Sequence, residues 1–69
     1  MEQNKFARRL RESLCLHGFS HLAFAKKLKT TQPTVTNWCS GKHEPDLSTL
    51  LLIARELNES IDYLLGLTD

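Results

Sequence analysis

Gln32, Pro33, Thr36, Asn37 and Ser40 fall on the outer side of one short helical segment, and none of them is a carboxylate. Amides and hydroxyls in such a row can donate and accept, the chemistry that matches the edges of base pairs in a major groove. Gln32 is the strongest candidate, because its side-chain amide can donate to N7 and accept from N6–H of adenine at once. The plain alternative is an exposed helix-start residue with no ligand. Ser20 and His21 open the preceding helical segment, whose first N–H groups and positive dipole end suit a phosphate. A neutral imidazole at position 21 supplies one hydrogen bond there, and an imidazolium a charge-assisted one.

The elements that must position these groups are legible between residues 20 and 41, SHLAFAKKLKTTQPTVTNWCSG. Ser20 is a good N-cap, and Phe24, Ala25 and Leu28 make one apolar face with Lys26, Lys27 and Lys29 off it. A second start follows at once: Thr31 as N-cap, Gln32 as the first helical residue, and Pro33 in the first turn, where a missing N–H leaves no bond unmade. Val35 and Trp38 give this second helix its inward stripe, and Gly41 stops it. Two short helices so close together, the second with a polar outer face, read as a helix-turn-helix.

The rest of the chain is helical by the same criteria. Phe6, Leu10 and Leu14 form one stripe, Leu47, Leu50, Leu51, Ala54 and Leu57 a second, and Ile61, Leu64 and Leu65 a third. Gly18 and Asn58 are placed to end helices, and Asp46 and Ser60 to begin them. Leu52 projects among Ser48, Arg55 and Glu59, as a lone exposed leucine or as a partner contact. With 69 residues and no strand pattern, repeat, low-complexity tract or linker, the expectation is one all-helical domain over 1–69, near the lower limit for a core without staples. Met1 reads as a true start, whereas Asp69 is either the natural end or the edge of a longer chain.

A net charge of +1 is modest, but it is unevenly distributed. Residues 1–45 carry eight Lys or Arg against three acids, and residues 46–69 carry Arg55 against five acids. One end is thereby suited to phosphates and the other to solvent or a partner, although charge runs on small helical domains are also ordinary solvated faces. Cys15 and Cys39, without a signal peptide or membrane-spanning run, point to a reduced cytoplasmic setting, close to the nucleoid if the partner is DNA. Cys15, His17, His21, Cys39 and His43 have none of the strong zinc spacings, so neither metal nor cofactor is expected. No phosphate-cradling glycine loop, carboxylate pair or nucleophile with a base suggests an enzyme.

The chain resembles the DNA-binding domains of the lambdoid phage repressor and Cro group, the Cro/C1-type or XRE-type helix-turn-helix family, from about Phe6 to Gly66. The resemblance rests on FARRLRE, LAFAKKLKTTQPTVTNW, SGKHEPDLSTLLLIARELN and SIDYLLG in that order and spacing. It implies a compact all-α five-helix bundle of the lambda-repressor-like type, with the helix at about 31–39 as the recognition helix in the major groove. Gln32, Pro33, Thr34, Thr36 and Asn37 would then face bases. Ser20, His21, Thr31, Ser40, Lys42 and His43 would meet phosphates, with Arg11 as an outer contact and Glu44 opposing. His21 stands where many relatives have Gln, and Lys29 where Gly is usual. Relatives commonly carry Arg at the position of Leu14 and Glu at that of Cys39, a salt bridge here replaced by two apolar side chains.

The function implied is a sequence-specific transcriptional regulator, a repressor in the first reading, from a phage, prophage or bacterium. It would act on double-stranded DNA, at a pseudo-palindromic operator, as a homodimer assembled there through Leu52, Ile61, Asp62 and Tyr63, either excluding RNA polymerase or contacting it. The alternative is a helical protein-interaction module, or an antitoxin-like or controller protein, of the same fold.

Overall fold

A computed structural model of the chain describes residues 5–68, so Met1 and Asp69 lie outside the described residues. Within them the chain forms five α-helices and no strand: α1 (Lys5–Leu16), α2 (His21–Leu28), α3 (Gln32–Ser40), α4 (Leu47–Leu57) and α5 (Ile61–Leu65). Capping chemistry explains these boundaries. Ser20, Thr31, Asp46 and Ser60 stand in extended backbone at the four later starts, and each side chain accepts the N–H three residues on, from Ala23, Thr34, Thr49 and Tyr63. Asp46, bonded by Thr49 and then Ser48, has its carboxyl held below the usual range, so it remains an ionised acceptor.

Each helix also closes in the same way. A residue with positive φ follows it, Gly18, Lys29, Gly41, Asn58 or Gly66. The next N–H then reaches back to the last turn: Phe19 to the Leu14 carbonyl at 2.9 Å, Thr30 to Ala25 at 2.8 Å, Lys42 to Asn37 at 3.0 Å, Glu59 to Ala54 at 3.0 Å and Leu67 to Asp62 at 2.8 Å. This is the Schellman closure, which satisfies carbonyls the helix leaves open. Lys29, at φ 61°, bears the strain expected where relatives use glycine, on the order of 1 kcal/mol.

The core gathers Phe6, Leu10 and Leu14 of α1, Phe24 and Ala25 of α2, Val35, Trp38 and Cys39 of α3, Leu50, Ile53, Ala54 and Leu57 of α4, and Leu64 of α5. The buried face of α4 differs from the expected one. Leu47 is 70 % exposed and Leu51 49 %, while Ile53 is wholly buried. Leu47 is the first residue of its helix and sits on the rim of a surface groove with Glu44, Pro45 and Leu65, and Leu51 follows it one turn on. Leu65, also expected inside, is exposed. Leu50, Ile53, Ala54 and Leu57 form an equally regular stripe, and this is the one that shares the core with Leu64.

α1 spans the molecule, packing on α3 at one side and on α5 at the other. On the α5 side Arg9 donates from Nη1 to the carbonyls of Tyr63 at 2.7 Å and Thr68 at 2.6 Å, with its guanidinium 4.5 Å from the centroid of the Tyr63 ring. A planar cation thus stacks on an aromatic face while bonding carbonyls at a helix C-terminus, three favourable interactions at one side chain. Arg9→Lys keeps the charge but loses the planar group stacked on Tyr63, and is expected to lower stability by about 1 kcal/mol. Unchanged urea unfolding of Arg9→Lys would show that charge alone suffices.

Gly66 closes α5 against α1. A Cβ there would lie 2.5 Å from Cδ and 2.9 Å from Cβ of Lys5, at a φ of +81°. Gly18, at φ +75°, has nothing within 4 Å of the same position. Gly18→Ala should therefore cost roughly the left-handed backbone penalty of ~1 kcal/mol, and Gly66→Ala more, because Lys5 must also move. Equal melting temperatures for the two variants would contradict the close approach. Ser13 is buried in α1, and its hydroxyl has no hydrogen-bond partner among the described residues. Ser13→Ala is expected to raise the unfolding free energy by about 1 kcal/mol, as it removes an unsatisfied hydroxyl and improves helix propensity. A loss of stability instead would mean the hydroxyl is bonded in solution.

Candidate nucleic-acid interface

α2 and α3 pack closely on each other, and the caps at Ser20 and Thr31 fix where each begins. In α2, Ser20 accepts the N–H groups of Ala23 and Phe24. The His21 and Leu22 N–H groups of the first turn are left without intrahelical acceptors. In α3 the N-cap Thr31 accepts from Thr34, and the two threonine hydroxyls lie 2.8 Å apart. Val35, Trp38 and Cys39 anchor α3 in the core, which leaves Gln32, Pro33 and Thr36 exposed and Thr34 and Asn37 half-buried. The amides of Gln32 and Asn37 have no side-chain partner among the described residues. Thr36 does have one: its hydroxyl is 3.0 Å from Nδ1 of the half-buried His21.

The loop after α3 winds around one carbonyl. The oxygen of Asn37 accepts from the Lys42 N–H at 3.0 Å, the His43 N–H at 3.3 Å and the Ser40 hydroxyl at 3.2 Å. Lys42 and His43 are exposed next to the C-terminal end of α3, at the other end from Gln32. α3 itself has no charged side chain. Among the neighbouring cations Lys27 pairs at 4.0 Å with Glu56, an exposed contact of little energetic weight.

Arg11 occupies a place that sequence reasoning did not give it. Its Nη1 donates at 2.5 Å to the carbonyl of Cys39, at the C-terminal end of α3. The cation meets the negative end of a helix and ties α1 to α3 there. Leu14 and Cys39 are both buried in the same core cluster. The tie between these helices that relatives make with a side-chain pair is thus made here by an arginine one turn earlier, with a main-chain carbonyl as acceptor. An arginine three residues before Leu14, on the same side of α1, was the available signal. Burial pushes the Cys39 thiol upward against the opposing effect of Arg11, which keeps it a neutral packing group.

The four dimer candidates have dissimilar settings. Leu52 is exposed and lines a cleft with Leu28, Lys29, Thr34, Trp38 and Thr49. Asp62 is exposed, whereas Ile61 and Tyr63 are half-buried against the core, Tyr63 beneath Arg9. Cys15 is exposed and Cys39 buried, and among the described residues no three His, Cys, Asp or Glu side chains gather as a metal site would require. No helix among the described residues is long and apolar enough to cross a membrane.

Two capped helices joined by a tight turn, the second with an apolar side inward and an uncharged polar side outward, define a helix-turn-helix protein. The chain belongs to the helix-turn-helix family HTH_3, whose model matches residues 4–64. It is also similar to a transcriptional regulator from Listeria innocua of known crystal structure, with 31% sequence identity and a TM-score of 0.87. That likeness covers 99% of this chain and 64% of the regulator's, so the chain spans a little under two thirds of its length. Comparison with curated proteins found no significant match.

Proposed function

We propose that the chain is a sequence-specific DNA-binding transcriptional regulator, acting as a repressor by occupying an operator, with residues 1–69 as one domain. The observation that carries this reading is the outer face of α3, where Gln32, Pro33 and Thr36 stand exposed on a helix without a carboxylate, anchored from behind by Val35 and Trp38. Membership of the helix-turn-helix family and the likeness to a transcriptional regulator support it. Gln32, Pro33, Thr34, Thr36 and Asn37 read bases. Ser20, His21, Thr31, Ser40, Lys42 and His43 hold the flanking phosphates. Arg11, with one nitrogen on the Cys39 carbonyl, acts chiefly by holding α3 in place. No cofactor takes part.

One recognition helix reads only a few base pairs, so useful specificity requires two half-sites with centres about 34 Å apart on one side of the duplex. The protein therefore binds a pseudo-palindromic site as a two-fold pair. The pair forms at the acidic end that carries Leu52, Ile61, Asp62 and Tyr63. Selection of bound sequences from random duplex DNA tests this reading, followed by titration of the selected site at rising salt. The expected results are a symmetric motif and an affinity that falls steeply with salt. Absence of both would leave a protein-interaction module built on the same fold.

A further inference from the structure

We propose that His21 is a specificity-determining residue: its protonation reverses the hydrogen-bond polarity of the Thr36 hydroxyl and so changes the base preferred beneath that side chain. The inference rests on the DNA-reading role proposed for α3.

The geometry is the 3.0 Å contact between His21 Nδ1, at the start of α2, and Thr36 Oγ1, in the exposed middle of α3. The two ring nitrogens are not independent. A phosphate beside the first turn of α2 accepts hydrogen bonds only, so the nitrogen that meets it, Nε2, must carry a proton. In the neutral ring Nδ1 is then bare, and it accepts a hydrogen bond from the Thr36 hydroxyl. The threonine oxygen, its own hydrogen turned towards the imidazole, can offer DNA lone pairs alone. Such an acceptor matches the N6–H group of adenine or the N4–H group of cytosine.

Protonation of the ring places a second hydrogen on Nδ1, which now donates to Oγ1. The hydroxyl hydrogen is released and turns outward, so Thr36 gains a donor suited to O6 or N7 of guanine, O4 of thymine or N7 of adenine, while one lone pair of its oxygen still accepts. Histidine is the side chain whose charge change falls between about pH 5 and 8. Groups that could interfere are few. α3, packed against α2, presents no charged side chain, and its titratable group is the buried Cys39 thiol. Arg11 of α1 is bonded at the far end of α3. His17 lies in the connection before α2, and on α2 itself Lys26 and Lys27 lie in the last turn.

The test is selection from random duplex DNA at about pH 5.5 and about pH 8, with the parent chain, His21→Gln and Thr36→Val. The parent should enrich a motif that changes at one position per half-site, from adenine or cytosine at high pH to a preference that also admits guanine or thymine at low pH. The preference there should shift by about three- to tenfold, the worth of one hydrogen bond. His21→Gln, whose amide does not titrate, should give one motif at both pH values, and Thr36→Val should lose preference at that position at both. A parent motif identical at the two pH values, with DNA still bound specifically, overturns the inference. So does a switch that persists in His21→Gln, which would assign it to another group. If no variant enriches any motif at either pH, the DNA-reading role itself fails, a result distinct from a motif that does not switch.

Discussion

Cys39→Glu is expected to lower the stability of the fold by about 3–5 kcal/mol, because it places a carboxylate in a buried site with no partner designed for it. Cys39 is 2% exposed and shares its cluster with Leu14, also 2% exposed. Arg11 is near, but its guanidinium already bonds the Cys39 carbonyl, so turning to a new carboxylate would forfeit that contact. A loss of this size approaches the whole stability that a core this small supplies. Leu14→Arg alone should be similarly harmful. The double variant recreates the ionic pair of relatives and should recover much of the loss, with a coupling of about 1–3 kcal/mol. Burial raises the pKa of the new glutamate, so the single variant should be relatively more stable below the unfolded-state pKa and weaken as pH rises through the folded one. Urea unfolding of the four proteins measures the cycle. A Cys39→Glu chain as stable as the parent would show that position 39 can open to water.

Gln32→Ala should reduce affinity for the selected site by about 1–3 kcal/mol and relax the preference at one base position. Gln32 stands exposed at the start of α3, so its removal leaves the fold intact. Lys42→Ala should act differently, weakening binding to all sequences alike and reducing the slope of log affinity against log salt by about one unit. The contrast matters more than either value. Equal losses on specific and random duplex for Gln32→Ala would remove base reading from α3, whatever Lys42 does.

Much of the fold was legible because it is written in local chemistry. Each of Ser20, Thr31, Asp46 and Ser60 needs only its own side chain and an N–H three residues away, so those helix starts could be read without tertiary information. The left-handed backbone at Lys29 was foreshadowed only by the family resemblance, which puts glycine there. α4 was harder. LSTLLLIAREL is apolar on more than one side, and two stripes of correct spacing pass through Leu50, Ala54 and Leu57. Which one faces inward depends on what lies across the core, and sequence spacing does not contain that. The same limit applies to the interface residues. Exposure of Gln32 and Thr36 follows from helical periodicity, but Arg11 on the Cys39 carbonyl and His21 on Thr36 join groups 28 and 15 residues apart. Those distances are set by how α1 and α2 lie on α3.

The loop bearing Lys42 and His43 hangs on the main-chain oxygen of Asn37, which every amino acid possesses. Gln32, Pro33 and Thr36 take no part in holding it. Replacing those three side chains therefore leaves the loop after α3 in register with the helix, and under the proposed DNA-reading role a new target sequence can be acquired by surface substitutions that leave these main-chain bonds in place. In a helix-turn-helix lineage this separates drift in what the outer face of α3 recognises from loss of the scaffold. In the laboratory it makes positions 32, 33 and 36 the ones to randomise when a variant with a different site is sought.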